Sequence, residues 1–521
     1  MSEDILAKIV RMRKADIERL GLNFGIEIPA ARRRGHVEFL GTPGAILEVK
    51  RASPSKGDIA PDLVPTELAT TYAEAHAQAI SVLTEGSFFK GSLRDLIAVA
   101  DLMEHRQQQG LHACAVLRKD FLLYEDEIDI AYRCGADAVL LIARILDDEQ
   151  LVKMAKRAQS FDMQAFVEVR EVDDLRKLRL VMDALGEKAA KTIVAGVNSR
   201  DLATFHTDPL VPAALRSSLP AKAVFESGIH SAADADYARS LGFTGILVGE
   251  AVAKNPTLAK DVVSAFEGGC ENAQGKFWKK VAERRDARRA VANPRKSNRP
   301  MVKICGITRE EDGMLAAELG ADMLGFVFSN TKRLTTEGFV RDFAAKLRAS
   351  RAPESTPLLV GVITDPDSPE GKTAIRLAQE GVLDAVQFHG VDPASLACHR
   401  EHEVRSNLIP DFAHYCAVRV GDTSDFEKVQ ALRTHGEPRI LLDAKVEGIP
   451  GGTGKQIPES VLRAQTGDIP LWLAGGINPE NAATLIDKFH PELIDVSSGI
   501  EIEPGIKSPE KLEALFGTLR S

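Results

Sequence analysis

The chain has 521 residues, of which 44% are hydrophobic, 27% are charged and 5% are aromatic, and its net charge is −9 at pH 7. This length exceeds one ordinary hydrophobic core and predicts roughly two to four domains, and the balanced composition disfavours both disorder and a fibrous repeat. The acidic balance argues against a general nucleic-acid-binding surface but is compatible with a local basic patch that holds an anionic small molecule.

Neither export nor a cysteine framework is indicated. No run approaches the ~18 apolar residues of a membrane span, and the N-terminal sequence MSEDILAKIVRMRKADIERL is charged and amphipathic, unlike a signal peptide. The six cysteines are dispersed without a C-x-x-C pair, which disfavours a zinc cluster and a disulfide framework. We therefore expect a cytoplasmic protein that has no membrane or nucleic-acid partner.

The first half of the chain alternates short apolar runs with helical stretches, a pattern typical of parallel strands joined by crossover helices. An additional helix is predicted over residues 2–20, with Ser2 as its N-cap. Eight units of roughly 25 to 30 residues predict a (β/α)8 TIM barrel, with a doubly wound open sheet as the main rival. The eight runs are AILEVK from Ala45, AISVLTE from Ala79, ACAVLRKD from Ala113, ADAVLLIAR from Ala136, QAFVEVR from Gln164, TIVAGVNSR from Thr192, AVFESG from Ala223 and TGILVGE from Thr244.

A second series of eight runs predicts a second barrel, so the expected fold class is α/β with two consecutive (β/α)8 TIM barrels. The segment between them contains GKFWKKVAERRDARRA and NPRKSNRP. We interpret it as a basic helix and linker whose charge reflects a solvated connector rather than RNA binding. The predicted domains are residues 1–266 and 300–521, with a linker at 267–299. The second series is MVKICGIT from Met301, ADMLGFVF from Ala321, LLVGVIT from Leu358, DAVQFHG from Asp384, YCAVRV from Tyr415, RILLDA from Arg439, LWLAGG from Leu471 and LIDVSSG from Leu493.

Polar residues stand at the ends of the first-barrel strands, where the reacting groups of a TIM barrel lie. A strand-end salt bridge would explain any one of them, but as a set they favour a site, because buried charges are costly unless they pair or bind a ligand. We expect burial among cations to lower the pKa of a lysine toward neutrality and make it a general acid. The ESG and VGE loops after strands seven and eight favour a phosphate site. The set comprises Glu48, Lys50, Ser53, Lys119, Glu168, Asn198, Arg200, Ser227 and Gly228.

The motifs EVKRASPSKG, SVLTEGSFFKGS, LRKDF, VEV, NSRDL, ESGI and LVGE, in this order, resemble the indole-3-glycerol-phosphate synthase family over residues 2–266. The resemblance implies ring closure of an N-linked carboxyphenylamino deoxyribulose phosphate, with loss of carbon dioxide and water. It makes Lys119 the general acid at the substrate ketone and Glu168 the base in the dehydration. Glu48 and Asn198 would orient the lysines and hydroxyl groups. The implied substrate contacts are Lys50, Ser53 and Arg200, Phe89 against the aromatic ring with core packing as its alternative, and Ser227, Gly228 and Gly249 at the phosphate.

In the second barrel, Cys305 ends the first strand and Asp443 ends the sixth. A thiolate base and a carboxylic acid at one mouth are a complementary pair for moving a proton between neighbouring carbons, although a buried cysteine is usually structural. The glycines of LAGGIN and DVSSGIE follow strands seven and eight, where barrels bind phosphate. GGTG at residues 451–454 by itself indicates only a flexible loop.

Together KICGIT, GFVF, VQFHG, LLDAK, GGTG, LAGGIN and DVSSGIE resemble phosphoribosylanthranilate isomerase over residues 301–521. The resemblance implies an Amadori rearrangement in which Asp443 protonates the ribose ring oxygen and Cys305 removes the proton from the second sugar carbon. SNTKRL departs from the family's Ser-Pro-Arg, and GIPGGTGKQIP lacks its Phe-Asp-Trp ending. The implied contacts are Gly475, Gly476, Ser498 and Gly499 with the phosphate, Arg333 with the anthranilate carboxylate, and Gln387 and His389 at the site wall, with a structural histidine as the alternative.

The two resemblances imply consecutive steps of tryptophan biosynthesis, in which the second barrel makes the substrate of the first. They call for phosphorylated substrates that bear an anthranilate group, for no metal or organic cofactor, and for a monomer. One rival is another pair of phosphosugar barrels, such as the histidine-pathway isomerases, which use paired aspartates where this chain has Cys305 with Asp443. The other rival is a binding module without catalysis, against which the presence of Lys119 and Glu168 weighs.

Overall fold

The computed structural model describes residues 5–41, 43–201, 205–289, 299–390, 412–434, 436–445, 456–464 and 470–520. The chain divides into two compact units, Met1–Glu271 and Asn272–Ser521. The predicted N-cap at Ser2, the loop at residues 451–454 and the end of the predicted linker at residues 290–298 lie outside the described residues. Within the described ranges, no helix combines the length and the apolarity needed to cross a membrane.

In the first unit, eight parallel strands close into a barrel in chain order, which confirms the predicted fold. The first strand pairs with both the second and the eighth, so that Ile46 lies opposite Ala79 on one side and Leu247 on the other. The strands are apolar along most of their length because both of their faces are covered, one by the barrel interior and one by the helices. They are Gly44–Val49, Ala79–Leu83, Ala115–Lys119, Ala138–Ile142, Gln164–Val169, Ile193–Asn198, Ala223–Glu226 and Gly245–Val248.

The helices of this unit begin where the sequence offers caps. The side chains of Ser92, Asp147 and Ser231 each accept a hydrogen bond from the backbone N–H three residues later, which satisfies one of the free amides at a helix start. A small antiparallel ribbon, Ala52–Ser53 with Gly57–Asp58, follows the first strand. The helices are Ile5–Leu20, Pro65–Glu74, Leu93–Gln108, Asp126–Arg133, Asp148–Ser160, Val172–Leu185, Ala189–Thr192, Leu210–Leu215, Ala232–Ser240, Glu250–Lys254 and Leu258–Gly268.

The second unit contains the second predicted barrel, again with eight parallel strands in chain order. Its strands are Met301–Cys305, Met323–Val327, Leu358–Ile363, Ala385–His389, His414–Val420, Ile440–Ala444, Trp472–Ala474 and Leu493–Val496. Its described helices are Ala273–Arg289, Glu310–Leu319, Glu337–Ser350, Pro369–Gln379, Phe426–Thr434, Glu459–Ala464, Ala482–Phe489 and Pro509–Arg520, and a ribbon joins Glu501–Glu503 to Ile506–Lys507.

The helix Ala273–Arg289 belongs to this second barrel and packs against the beginnings of its strands. Phe277 stacks on Tyr415 with ring centroids 6.0 Å apart, and Trp278 lies 5.8 Å from Trp472. Phe277 and Trp278 are 2% and 0% exposed. The helix therefore closes the end of the barrel opposite the mouth, and its aromatic residues form part of the core.

The expectation of a solvated connector is wrong for this helix. Its basic residues pair with carboxylates just ahead of the strands, Lys280 with Asp384 at 2.8 Å and Arg288 with Asp322 at 2.9 Å. The high charge of the segment hides a buried apolar face, because seven of its 17 residues are lysine or arginine while Phe277, Trp278, Val281 and Ala282 are buried.

The buried face of this helix gives a stability prediction for Phe277→Ala. Loss of the ring is expected to lower the free energy of unfolding of the second unit by about 3 to 5 kcal/mol, because the cavity lies in a packed interface. Trp278 and Trp472 are the two tryptophans of the chain, so urea unfolding followed by tryptophan fluorescence reports directly on this region. Lys276→Ala, on the exposed face, is the control, and an unchanged midpoint for Phe277→Ala would contradict the assignment.

Candidate active sites

The mouth of the first barrel holds one pocket, and every first-barrel residue predicted from sequence lines it. The carboxyl ends of the strands meet there, as the closed topology requires. Phe89 is half-buried, lines the pocket and also packs against the core of this barrel, so its contact with an aromatic ring of the substrate stays a prediction. The predicted residues at this pocket are Glu48, Lys50, Ser53, Phe89, Lys119, Glu168, Asn198, Arg200, Ser227, Gly228 and Gly249.

Lysines and glutamates alternate across the floor of this pocket. Lys119 Nζ lies 2.8 Å from Glu226 Oε2 and 4.0 Å from Glu48 Oε2. Lys50 Nζ lies 3.2 Å from Glu48 Oε1 and 5.4 Å from the centroid of the Phe89 ring. Glu48 thus stands between the two lysines, which lower its pKa even though burial acts in the opposite direction.

The expectation of a lysine with a lowered pKa is wrong for Lys119. Burial does lower the pKa of this amine, but the negative charges of Glu226, Glu48 and Glu168 outweigh burial and raise the pKa above its ordinary value. The sequence showed the cations of the pocket without the distances to its carboxylates, and those distances decide the sign. Without substrate, Lys119 is therefore a charged ammonium that carries the proton a general acid must deliver.

Glu168, in contrast to the charged Lys119, is shifted toward its neutral form. Burial, and next the charge of Glu226, raise its pKa to about 8. Asn198 Nδ2 donates to Glu168 Oε1 at 3.4 Å, and the Asn198 side-chain oxygen accepts from the backbone N–H of Arg200 at 3.0 Å. A carboxyl group with a pKa near neutrality can both accept and return a proton at physiological pH.

Glu226 is a site residue that the sequence reasoning did not assign. It ends the seventh strand directly before Ser227 and is 1% exposed. A Cβ atom at Gly196 on the neighbouring strand would lie 2.2 Å from Glu226 Oε1, so this glycine makes room for the carboxylate. The signal for Glu226 in the sequence is a glutamate at the end of a buried strand, and it is the first residue of the ESG loop, which by itself indicates only a phosphate site.

The loops after strands seven and eight have the backbone conformations of tight turns. Ser227 and Gly228 have φ of +65° and +76°, the left-handed region in which consecutive N–H groups can face one anion. A Cβ at Gly249 would lie 2.5 Å from Glu48 Oε1. Gly249 therefore also provides the space that the Glu48 carboxylate occupies.

The mouth of the second barrel holds a separate pocket. The predicted residues Cys305, Arg333, Gln387, His389, Asp443, Gly475, Gly476 and Ser498 line it, together with Asp495 and Ser497, which the sequence reasoning did not select. Gly499 is not among the lining residues. A Cβ on Gly499 would lie 2.0 Å from the Ile477 carbonyl oxygen, so its smallness lets the two glycine loops pack together.

Cys305 sits above a buried ion pair. Burial raises the pKa of its thiol, and the nearby Lys303 acts in the opposite direction. Lys303 Nζ lies 2.7 Å from Asp495 Oδ2 and is 0% exposed. A Cβ at Gly325 on the second strand would lie 2.7 Å from Cys305 Sγ. The thiol is therefore held beside the pocket by a close neighbouring strand and a fixed cation beneath it.

Asp443 faces a histidine across the pocket. Its Oδ2 lies 3.3 Å from His389 Nε2, and its Oδ1 accepts a hydrogen bond from the Ala444 N–H at 2.9 Å. His389 Nδ1 lies 3.2 Å from Gln387 Nε2. The histidine is thus in contact with the predicted catalytic acid.

Arg333 also reaches the second pocket, but its guanidinium is engaged. It donates to Glu501 from Nε at 2.9 Å and from Nη2 at 2.7 Å. Glu501 in turn accepts from Lys507 Nζ at 2.9 Å, and Lys507 donates to the Cys305 carbonyl oxygen at 2.6 Å. The predicted contact of Arg333 with a substrate carboxylate stays a prediction. For that contact the guanidinium would have to bind the substrate carboxylate alongside Glu501 or in place of it.

Comparison with known proteins divides the chain in the same way. A family model described as indole-3-glycerol phosphate synthase matches residues 8–264, and one described as N-(5'phosphoribosyl)anthranilate (PRA) isomerase matches residues 302–518. The TrpCF tryptophan biosynthesis protein of Yersinia pestis is 30% identical over 91% of this chain and 84% of its own length.

Two further relatives differ in coverage. A multifunctional tryptophan biosynthesis protein of Phycomyces blakesleeanus is 31% identical over 98% of this chain and 66% of its own length. Across three such multifunctional relatives, the chain spans 59 to 66% of their length. The solved phosphoribosyl anthranilate isomerase of Thermotoga maritima is 30% identical, covers 42% of this chain and 98% of its own, and aligns with a TM-score of 0.35.

The carboxylate cluster of the first pocket predicts that the substitution Glu226→Gln lowers the pKa of Glu168. The pKa of Glu168 is expected to fall from about 8 by about one unit or more, because the second cause of its elevation is removed. Carbon-13 NMR of the side-chain carboxyl measures this shift.

The same substitution has a consequence for stability. The native pKa of Glu168 exceeds its ordinary value of 4.5, so the native protein binds the extra proton and stability falls as pH rises from about 4.5 to 8. The slope should be smaller in Glu226→Gln, measured as urea midpoints between those limits, and unchanged in the exposed control Glu187→Gln. A Glu168 pKa that does not move would contradict the coupling.

Proposed function

Since this chain belongs to the tryptophan-biosynthesis family that joins an indole-3-glycerol phosphate synthase domain to a PRA isomerase domain, we propose that it catalyses both reactions. The second barrel isomerises N-(5'-phosphoribosyl)anthranilate to the carboxyphenylamino deoxyribulose phosphate. The first barrel closes that product to indole-3-glycerol phosphate. The observation that carries the proposal is that each barrel mouth gathers one acid and one base, Lys119 with Glu168 and Asp443 with Cys305.

In the isomerase barrel, Asp443 donates a proton to the ribose ring oxygen as the bond from that oxygen to the first sugar carbon breaks, which leaves a Schiff base. Cys305 as thiolate then takes the proton from the second sugar carbon, and the resulting enol amine becomes the amino ketone. Lys303 supports this step because a cation 2.7 Å from Asp495 stays charged beneath the thiolate. Gly475, Gly476 and Ser498 hold the phosphate in their backbone concavity.

In the synthase barrel, the aromatic carbon of the substrate attacks the ketone carbon, and Lys119 protonates the ketone oxygen as negative charge develops on it. The raised pKa of Lys119 does not prevent transfer, because an alkoxide is a stronger base than an amine. Carbon dioxide then leaves the aromatic carbon that attacked, and the electrons of the broken bond restore the aromatic ring. In the dehydration, Glu168 accepts the proton lost from the ring carbon next to the former ketone carbon as the double bond forms, and the hydroxyl leaves as hydroxide, which takes up a solvent proton and becomes water. Lys50 and Arg200 attract the substrate carboxylate, and Ser227 with Gly228 holds the phosphate.

We also propose that the chain works as a monomer in the cytoplasm. Every residue that lines either pocket belongs to a single barrel of one chain, so neither site needs a second copy. The described cysteines 114, 134, 270, 305 and 416 are free thiols, as expected in a reducing compartment. Sedimentation at enzyme concentrations used for assay tests the first statement.

Two substitutions separate the activities. Lys119→Met is expected to lower the synthase turnover by about 10² to 10⁴ and to leave the isomerase unchanged, while Asp443→Asn does the reverse, because each removes one proton donor. Coupled assays that start from phosphoribosylanthranilate or from the carboxyphenylamino intermediate measure both steps in each variant. If either variant abolished both activities, or neither, the two-site proposal would be wrong.

Alkylation gives an independent test of Cys305. Iodoacetamide is expected to inactivate the isomerase and spare the synthase, and the rate should rise about tenfold per pH unit above pH 7 because the raised pKa leaves little thiolate at neutrality. The measurement uses a Cys270→Ser background, since Cys270 is exposed. Cys305→Ser in that background is the control, and loss of synthase activity at the same rate would contradict the assignment.

A further inference from the structure

A series of polar contacts runs from the interior of the second barrel to Asp443. The Tyr415 hydroxyl donates to Gln387 Oε1 at 2.9 Å. Gln387 Nε2 lies 3.2 Å from His389 Nδ1, and His389 Nε2 lies 3.3 Å from Asp443 Oδ2. Tyr415 plays no part in the proton transfers proposed above, and the inference drawn from it rests on the proposed isomerase function.

The inner end of this series of contacts is buried and closely packed. Tyr415 and Gln387 are 0% and 1% exposed. The tyrosine ring stacks parallel to Phe277, with 3° between the planes, and meets Trp472 edge-on at 5.4 Å. Burial raises the pKa of the phenol, so the hydroxyl keeps its proton and remains a donor.

The orientation of the Gln387 side-chain amide determines which ring nitrogen of His389 carries the proton. An amide group has one acceptor end and one donor end. Since the oxygen accepts from the phenol, the NH₂ end faces His389 Nδ1, which must therefore be the unprotonated nitrogen of the ring. The ring proton then sits on Nε2. Within the described residues Nε2 makes no aligned hydrogen bond, and Asp443 Oδ2 at 3.3 Å is its partner at ion-pair distance.

This tautomer matters for an acid that must give its proton to the substrate. With a proton on Nε2, the ring is a donor that stabilises the carboxylate left on Asp443 after transfer. With the proton on Nδ1 instead, Nε2 would be an acceptor and would compete with the ribose oxygen for the acidic proton. The first arrangement favours the products of the proton transfer, and the second favours its ground state.

We propose that Tyr415 is a positioning residue for the isomerase, which orients the Gln387 amide and thereby holds His389 in the Nε2–H tautomer that supports Asp443. The tyrosine contacts neither the substrate nor the acid. It acts through two hydrogen-bonded side chains.

Tyr415→Phe tests the proposal because it removes the hydroxyl and keeps the stacked ring. Nitrogen-15 NMR of the labelled histidines, with His389→Gln used to assign the signal, reports the tautomer. In the parent chain we expect Nδ1 of His389 at the unprotonated position. In Tyr415→Phe the freed amide can turn over, so the Nδ1 signal should shift toward the protonated position, and the isomerase kcat should fall about 10- to 100-fold with little change in KM.

Two controls make the outcome decisive. Tyr124→Phe, which removes an exposed hydroxyl of the first unit, and the synthase activity of the Tyr415→Phe chain should both be unchanged. Gln387→Met removes the amide that links Tyr415 to His389, and it should produce the same shift of the His389 signal. An Nδ1-protonated His389 in the parent chain, or an unshifted signal in both variants, would overturn the proposal.

The NMR readout also separates this proposal from the proposed function. If the parent chain had no isomerase activity, the assignment of the second barrel would fail, yet the tautomer and its dependence on Tyr415 would still be measured. If the isomerase were active and kcat fell while the His389 signal stayed in place, the loss would be one of packing and the positioning role would be refuted.

Discussion

Closure of eight parallel strands is the constraint on which both sites depend. In a closed parallel barrel every strand ends at the same mouth, so side chains from distant parts of the chain meet without any long loop. Lys119 and Glu226 are 107 positions apart and lie within 2.8 Å, and Lys303 and Asp495 are 192 positions apart and lie within 2.7 Å. Each pocket is therefore assembled by hydrogen bonding between backbones, and its chemistry is added by the last one or two residues of each strand.

The charges at the first mouth are held because they compensate one another. A lone buried ammonium or carboxylate would lose its hydration without return, but Glu48 stands between Lys50 and Lys119, and Glu226 faces Lys119. For Glu168, burial and the charge of Glu226 make the protonated carboxyl group the more stable state, which is why its pKa lies near neutrality. Gly196 and Gly249 belong to the same arrangement, since any side chain there would displace a carboxylate.

In the second barrel, the packing at the closed end is connected to the site at the mouth. The helix Ala273–Arg289 closes the end opposite the mouth with Phe277 and Trp278, and the ring that Phe277 covers is Tyr415. The hydroxyl of that ring begins the polar chain that ends at Asp443. Core packing and catalysis thus share a residue, because a barrel interior is only a few layers of side chains deep.

The sequence by itself determined the two barrels and most of both pockets. Sixteen apolar runs and the polar or glycine residues at their ends are local features, and the position of a strand end is enough to place Lys119, Glu168, Cys305 or Asp443 at a mouth. Family motifs added the roles. Glycines such as Gly475 were readable for the same reason, since they stand in a loop directly after a strand.

Only the tertiary structure decided how these groups act on one another. The sign of the Lys119 shift, the place of Glu226, the engagement of Arg333 by Glu501 and the burial of the helix Ala273–Arg289 all depend on distances between residues far apart in the chain. Electrostatic interactions and packing change over a few ångströms. A one-dimensional pattern records which residues reach a mouth or a core, but it does not record which of them lie in contact.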